Sequence, residues 1–440
     1  MAGLYVLKRD SILDNWGIII CLSKYKRGFN MKQLLALFVI ILALAGCSSK
    51  ADTEKENKLV LDSSWSEIEK DADGKKVRLF MWGGDPGINA YIDKYVKPAV
   101  KEKNNILLER VPMDTPEILQ KLETEKRAGQ PKGTIDIVWL NGENFKNARK
   151  NHLLFGPITE KLPNYAKYYD TKSLENRYDF GLQTDGYEAP WGKVQFVFHY
   201  DSSKIQDPPK TIEDLKKWVK ENPGQFAYPD PKDFTGNAFI RHLFYESAGG
   251  AKTLLDKGYD EQFAKTGSEK LWKDLNEMEP YLWKKGKLYP NDLTELDKLY
   301  ANGEVAMTMG YNEARAESLI EKGIFPDTTR SFVLGSGSIG NTHFLAIPAN
   351  SPNKEAALAS INFMLSPEAQ IKKLSPEFWG ESPALDYSKL SEKQKADYDK
   401  IQRGASVLPP EQLKDAFLPE IDSQYVNWLK ESWTNEVVQK

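Results

Sequence analysis

The chain has 440 residues, 40% of them hydrophobic and 28% charged, and its formal net charge is −3 at pH 7. This length allows two hydrophobic cores, and the two cysteines, Cys21 and Cys47, exclude a framework of several disulfide bonds. An acidic chain without a basic stripe is also a poor nucleic-acid binder, so that class of partner is excluded.

The N-terminal region predicts export. An unbroken apolar run from Leu34 to Ala45 follows Lys32, and it is too short to span a bilayer, which needs about 20 apolar residues. Such a run is typical of a signal peptide. It ends in Leu44-Ala45-Gly46-Cys47, which resembles a bacterial lipobox, so we expect cleavage to remove residues 1–46 and a lipid to be attached to Cys47. The alternative is a buried helix with an incidental cysteine.

Met31 begins a signal peptide of ordinary form, whereas the residues before it carry mixed charge, for example at Arg9 and Asp10. We therefore predict that translation starts at Met31, and peptides from residues 1–30 in the unprocessed precursor would contradict this. A polar stretch after the cysteine predicts a tether over residues 47–58. Without residues 1–46, which hold six basic and two acidic residues, the net charge is about −7. The expected product has no disulfide and is anchored by its lipid to the outer face of the cytoplasmic membrane, at the cell surface or in the periplasm.

From Lys75 onward, strand-like and helix-like segments alternate. Apolar runs predict strands at 77–82, 106–111 and 135–140, and helical spacing predicts helices at 88–100, 116–127 and 143–150. Pro98 inside the first helical pattern predicts a kink or an earlier end. This alternation is typical of a mostly parallel sheet with helices on both faces.

A second α/β region begins near Val194. Strands are predicted at 194–200, 225–229, 305–310 and 343–348, and helices at 237–248, 268–284, 292–302 and 354–365. Thr211 is a predicted N-cap of a further helix. Gly335, Gly337 and Gly340 match G-x-G-x-x-G, but the match leads into a strand rather than a helix, so we interpret it as a loop.

Several motifs together resemble the extracellular solute-binding proteins of ABC importers, most closely the YnjB-type subfamily. The motifs that carry the resemblance are Trp82-Gly83-Gly84-Asp85, the run from Asp136 to Phe145, Leu153 to Pro157, Pro190-Trp191-Gly192, Gly303 to Met307 and Gly340 to Phe344. They cover nearly the whole chain after the leader. The resemblance implies a two-lobed type II periplasmic-binding fold, in which each lobe is a mostly parallel sheet flanked by helices and the solute binds in the cleft between the lobes.

The same resemblance implies an order of lobes and a set of partners. Residues 59–190 would build the first part of lobe 1, residues 191–340 lobe 2, and residues 341–440 the return to lobe 1 and the C-terminal helices. The chain would act as a monomer, take no cofactor, carry out no chemistry of its own, and deliver a small solute to ABC permease and ATPase subunits.

Solutes of open α/β sheets lie beyond the carboxyl ends of the strands, and glycines there let the backbone approach a ligand. This rule, together with the two lobe crossings and one helix start, predicts the solute-binding residues Trp82, Gly84, Asp85, Trp139, Asn141, Glu143, Trp191, Phe234, Thr235, Tyr311, Glu313, Asn341 and Thr342. Trp379 is a further aromatic candidate. For each tryptophan the alternative is a core residue.

The residue types indicate the class of solute. Flat aromatic walls suit a sugar ring, a heteroaromatic ring or an organic cation, and Asp85, Glu143 and Glu313 would supply counter-charge for a cation. We therefore predict a thiamine-like or polyamine-like organic cation, with a sugar or an oxyanion as alternatives. Ferric-ion binders of the wider fold group use adjacent tyrosines from the second lobe, whereas the pair here, Tyr168-Tyr169, falls in the first, which disfavours iron.

An enzyme is the alternative class. The four histidines, His152, His199, His242 and His343, are scattered and match no H-E-x-x-H, so no metal site is predicted. An S-x-x-K at Ser351 and a K-T-G at Lys265 occur in the wrong order for a penicillin-binding enzyme. A surface-anchored hydrolase that uses paired carboxylates stays open, because acids distant in sequence could meet in a cleft.

Overall fold

The structure is a computed structural model that describes residues 55–84 and 86–439. The predicted leader, Cys47, most of the predicted tether and Asp85 lie outside the described residues. The described residues belong to one compact unit. Residues 55–58, the end of the predicted tether, are already helical. The same helix buries Val60 against the core, and this contact orders the segment.

The strands of the described residues are β1 Lys76–Met81, β2 Leu107–Pro112, β3 Ile137–Leu140, β4 Leu154–Phe155, β5 Tyr178–Asp179, β6 Leu182–Gln183, β7 Glu188–Gln195, β8 Val197–Asp201, β9 Met307–Gly310, β10 Thr329–Phe332, β11 Ser338–Pro348 and β12 Phe417–Pro419. Among these residues, seven strands form the larger sheet, in the order β12-β11-β3-β1-β2 with β4 and β7 also paired to β11. A smaller sheet has the order β10-β8-β9, and β5 and β6 form a short hairpin.

Besides the helical residues 55–62, the α-helices of the described residues are α1 Trp65–Ala72, α2 Pro86–Ala90, α3 Lys97–Asn104, α4 Thr115–Arg127, α5 Glu143–Lys150, α6 Pro163–Tyr168, α7 Leu174–Arg177, α8 Ile212–Glu221, α9 Phe234–Ser247, α10 Ala251–Lys257, α11 Glu261–Gly267, α12 Glu269–Met278, α13 Leu293–Ala301, α14 Arg315–Glu321, α15 Lys354–Met364, α16 Pro367–Leu374, α17 Glu392–Asp399, α18 Pro410–Ala416 and α19 Ser423–Trp433. In the part of the chain that the structure describes, no helix combines the length and apolar character that crossing a membrane requires.

The larger sheet separates two hydrophobic clusters. β1 pairs in parallel with β2 and β3, as a strand–helix–strand order requires. Side chains alternate between the two faces of a strand, so Leu79 and Ile137 pack on one face. Phe80 and Val138 pack on the other.

The smaller sheet has a core of its own and gives the molecule its second lobe. Its strands are antiparallel throughout, with β8 between β9 and β10. The two-lobed α/β class is confirmed, but the mostly parallel arrangement expected for each lobe is wrong. The smaller sheet is antiparallel, and in the larger sheet β11 runs antiparallel to β3, β4 and β7. The strands β8 and β9 are buried along almost their whole length, and a buried run of this kind fixes a strand without fixing its direction.

Local signals explain several element boundaries. Thr211 caps α8 with a capping box, because its side chain accepts from the Asp214 N–H and the Asp214 carboxylate accepts in return. Pro98 does not end its helix. It lies in the first turn of α3, and a π-helical turn over Tyr91–Val96 joins α2 to α3. Proline lacks the N–H that an interior position would need, and the first turn tolerates that loss.

Two loop regions differ in part from the predictions. The strand expected at 225–229 is wrong. These residues belong to no strand, and the Phe226 carbonyl accepts instead from the Trp283 N–H at 2.8 Å. In the glycine-rich stretch, Gly337 has a left-handed φ of 111°, and β11 already begins at Ser338. The loop is therefore shorter than expected.

The C-terminal segment contributes to both lobes. Ala384 and Leu390 pack with the core of the larger sheet. Beyond β12, Tyr425 and Leu429 of α19 pack with the core of the smaller sheet. The chain therefore passes between the lobes a third time near β12, in addition to the two expected crossings at β7 and β11. The lobe boundaries at 59–190 and 191–340 stay a prediction.

Candidate functional site

Three tryptophans and a histidine lie together in the larger lobe, and we call them the tryptophan cluster: Trp139, Trp191, Trp379 and His343. The Trp139 ring centroid lies 5.4 Å from that of Trp191 and 4.9 Å from that of His343. Trp379 stacks on His343 at 5.8 Å with an interplanar angle of 14°. Offset and edge-on contacts of this kind are the favourable arrangements for aromatic rings.

The strand register brings these rings together. Trp139 is the third residue of β3, and it faces Leu345 of β11. His343 precedes Leu345 by two positions and therefore points to the same face. Trp191 lies on β7, where the pairing with β11 is irregular between His343 and Phe344. Because β3 and β7 both pair with β11, residues far apart in sequence meet on one face of the sheet.

The members of the cluster differ in exposure. Trp191 is fully buried, so it supports the other rings from below. Trp139 and Trp379 are half-buried, and the His343 side chain is 13% exposed. These three rings are the ones that a solute could touch. His343 was not among the predicted solute-binding residues, and it is the pairing of Leu345 with Trp139 that places it on the same face as Trp139.

A buried ion pair lies directly behind the cluster. Lys373 Nζ is 2.7 Å from Glu381 Oε2, and both side chains have no exposed surface. The ammonium is also 5.1 Å from the Trp379 ring centroid and donates to the Trp191 carbonyl. Burial lowers the pKa of Lys373, while the Glu381 carboxylate opposes that shift. The other Glu381 oxygen contacts His343 Nδ1. The lysine charge is thus matched locally.

A second aromatic pair lies in the smaller lobe. Phe234, at the first turn of α9, is 49% exposed, and its ring lies 4.9 Å from that of Tyr311. Beneath it, Arg241 makes a two-point contact with Glu420, with Nη2 to Oε1 at 2.7 Å and Nε to Oε2 at 3.1 Å. Tyr311 donates to the same carboxylate. Phe234 and Tyr311 were predicted together, but the buried arginine and glutamate below them carry no sequence motif.

Glu313 is not the free counter-charge that the sequence suggested. It is 1% exposed, and its Oε1 lies 3.4 Å from Arg403 Nη2. Its Oε2 accepts from the Gln195 N–H at 3.1 Å, and Oε1 accepts from the Ser382 hydroxyl. The charge is therefore already neutralised. Glu313 and Ser382 line a cavity of about 240 Å³ beside β7, whose wall also includes Glu175 and Lys193.

The other predicted residues do not join one site. Trp82 is 44% exposed and its ring lies over Gly84, whereas Glu143 is exposed in the first turn of α5. Asn141 is half-buried and Asn341 is buried. Further contacts are local. Thr342 Oγ1 donates to the Glu175 carbonyl at 2.7 Å, and the Thr235 N–H donates to Asp233 at 2.8 Å, which caps α9.

Two buried acids lie on the opposite face of the larger sheet. Asp179 Oδ2 accepts from the Gly142 N–H at 2.6 Å, while both Glu188 oxygens have no hydrogen-bond partner among the described residues. Burial raises the pKa of each carboxyl, and for Glu188 the neighbouring Asp179 raises it further. Neutral carboxyls are therefore favoured in the folded state.

We expect Glu188→Gln to stabilise the protein at neutral pH. The folded protein holds the Glu188 proton more tightly than the unfolded chain, so stability from this group is present below the unfolded pKa and is lost as pH rises toward the folded pKa. The variant should match the wild type near pH 4.5 and exceed it by about 1–3 kcal/mol at pH 7. Urea unfolding across this range measures the difference. The exposed Glu160→Gln is the control, and a difference that does not change with pH would contradict the prediction.

Among residues 55–84 and 86–439, no group of three or more His, Cys, Asp or Glu side chains could hold a metal ion. His199 and His242 are buried, and burial lowers the pKa of His199 to about 3 and that of His242 to about 4. Both are neutral at physiological pH. They pack inside the smaller lobe, as lone histidines commonly do.

Two lobes, each with its own sheet and core, and half-buried aromatic rings in the larger lobe are typical of proteins that capture small solutes. The chain belongs to the family of bacterial extracellular solute-binding proteins, whose sequence profile matches residues 92–400. It is 36% identical over 373 residues to protein YnjB of Escherichia coli strain K12, and this alignment covers 84% of the chain and 93% of that protein.

Solved structures agree on the fold. An ABC transporter structure from Clostridium perfringens aligns with a TM-score of 0.59 at 20% identity and covers 82% of this chain and 99% of its own. The spermidine/putrescine substrate-binding protein PotD of Streptococcus pneumoniae aligns with a TM-score of 0.54 at 17% identity and covers 83% of this chain and 98% of its own. At these identities the likeness is one of fold.

Proposed function

We propose that this chain is the solute receptor of an ABC importer and that it binds an organic cation of the thiamine or polyamine class against the tryptophan cluster. The observation that carries the proposal is the half-buried surface of Trp139, Trp379 and His343. Aromatic faces attract cations, most strongly when water is excluded. The positive charge behind them, Lys373, is paired with Glu381, so the site does not repel a cation through an unmatched lysine.

The delivery step follows from the two-lobed construction. A solute that contacts both lobes favours the closed arrangement by its differential affinity, and a membrane permease can distinguish closed from open receptors. PotD, which shares this fold, is a spermidine/putrescine substrate-binding protein of an ABC transporter, and this supports a role for the chain as a receptor. The receptor itself would need no catalytic group.

Lipid attachment at Cys47 completes the proposal. A receptor released into the medium would lose its solute to diffusion, and the lipobox resemblance supplies the anchor. Cys47→Ser should abolish the incorporation of labelled palmitate into the protein, and labelling unchanged by the substitution would contradict attachment at Cys47.

Titration calorimetry on residues 48–440 tests the solute class. Three series are compared: putrescine, spermidine and thiamine as cations, neutral sugars of similar size, and inorganic oxyanions. The proposal predicts saturable binding to a cation, weakened by salt, with the ligand recovered unchanged. Binding confined to a sugar would keep the receptor and replace its solute. A ligand consumed during the titration would favour the carboxylate hydrolase instead.

A further inference from the structure

A short loop of the smaller lobe presents apolar and basic side chains together. We call residues 280–288, between α12 and α13, the basic loop. Its exposed residues include Lys284, Lys285 and Lys287. Tyr281 and Leu288 are 38% and 59% exposed. The loop therefore combines three cations with two exposed apolar groups over a few residues.

The loop is held in place rather than loosely attached. Leu282 is 2% exposed within the core of the smaller lobe. The Tyr281 carbonyl accepts from the Gly224 N–H and the Trp283 N–H donates to the Phe226 carbonyl, both at 2.8 Å. Anchors inside the loop thus fix which of its side chains face outward.

The backbone of the loop is left-handed at consecutive residues. Lys284 and Lys285 have φ values of 50° and 61°, and Gly286 follows at 68°. Non-glycine residues rarely adopt this region because their Cβ atom approaches the following carbonyl oxygen, so the chain turns here against its local preference. The turn separates α12 from α13 and keeps both lysine side chains exposed.

The three lysine ammonium groups are available for contacts outside the protein. None of them makes an ion pair within the described ranges, and the Lys284 ammonium lies 5.2 Å from the Trp283 ring centroid. The nearby Glu277 carboxylate is already engaged by Lys216 at 3.2 Å and Lys220 at 3.4 Å. Residues 280–288 hold three lysines and no acidic residue, on a chain whose net charge is −3.

We propose that the basic loop contacts the anionic headgroup surface of a membrane. Each lysine near such a surface adds to the attraction. Tyrosine and tryptophan favour the membrane–water interface, and an exposed leucine can enter it. Three lysines give only weak, reversible binding. They are suited to orient a receptor that is already at the membrane and to act as a second signal beside a lipid anchor. This contact is independent of the solute.

Vesicle cosedimentation of lipid-free residues 48–440 tests the proposal. Vesicles of equal parts phosphatidylglycerol and phosphatidylcholine are compared with vesicles of phosphatidylcholine alone. We expect binding to the anionic vesicles only, weakened by added salt. The combined change Lys284→Glu, Lys285→Glu and Lys287→Glu should reduce the binding constant about tenfold or more. The corresponding glutamine variant should give a smaller loss, and Tyr281→Ser with Leu288→Ser a further one.

A matched control reverses three exposed lysines elsewhere in the same lobe, Lys252, Lys257 and Lys265. Lys252 and Lys265 pair with Asp256 and Glu261. The control has the same net charge as the test variant, and it should keep most of the vesicle binding. Circular dichroism confirms that each variant is folded. Absence of wild-type binding, or equal loss in the control, would overturn the proposal. Vesicle binding that survives the glutamate variant while solute import falls would assign the loop to a protein partner instead.

Discussion

Replacing Lys373 with methionine should lower the free energy of unfolding by about 3–5 kcal/mol. The lysine and Glu381 have no exposed surface and form an ion pair at 2.7 Å. Removal of the ammonium leaves a carboxylate buried behind the tryptophan cluster, where desolvation is costly. Urea unfolding at neutral pH gives the measurement. Glu381→Gln should be similarly harmful, because the ammonium is then the unpaired charge.

The double variant Lys373→Met with Glu381→Leu distinguishes the stability contributed by the ion pair from that contributed by side-chain packing. Buried ion pairs often contribute little net stability over apolar groups of similar volume, whereas breaking one is costly. The double variant should therefore recover most of the stability that either single variant loses. If the double variant instead lost as much stability as the two single variants together, the two charges would not depend on each other, and the prediction would be wrong.

Trp139→Ala should raise the dissociation constant of the cationic solute by tenfold or more. The half-buried indole contributes apolar contact and cation–π attraction of about 0.5–2 kcal/mol, and its removal also opens the cluster. Calorimetry gives the affinity and urea unfolding gives the stability of the empty protein. We expect Trp139→Ala to weaken the free energy of solute binding more than it lowers the free energy of unfolding of the empty protein.

Trp191→Ala is the matched control, since the same residue type is fully buried in the same cluster. It should cost about 3–5 kcal/mol of stability, as large-to-small core changes do, and alter affinity less than Trp139→Ala. If Trp139→Ala instead destabilised the protein and left affinity unchanged, Trp139 would be a core residue and the site would lie elsewhere.

Much of the fold follows from local sequence. The apolar run at 135–140 contains β3, the helix predicted at 143–150 is α5, and Thr211 caps α8 as its side chain predicts. These features depend on neighbouring residues alone. The strand predicted at 225–229 is absent because its formation does not depend on neighbouring residues alone. A short apolar run becomes a strand only when a partner is available, and here Phe226 bonds to the basic loop instead.

The site was predictable only in part. Trp139 and Trp191 were expected near strand ends, and β11 brings them together through its pairing with both strands. The partners of Glu313 were not predictable, because Arg403 lies 90 positions further along the chain, in the C-terminal segment. The same limit applies to Arg241 and Glu420, separated by 179 positions. Such pairs depend on how the C-terminal segment crosses between the lobes, which no local pattern encodes.

The most direct test of the central claim is a crystal structure of residues 48–440 with the cation that calorimetry identifies. We predict that the solute lies between the lobes, with its positive group within about 6 Å of the Trp139 or Trp379 ring centroid and with Lys373 still paired with Glu381. A solute bound away from the tryptophan cluster, for example in the cavity beside Glu313, would contradict the proposed site. A solute found cleaved would contradict the proposed function.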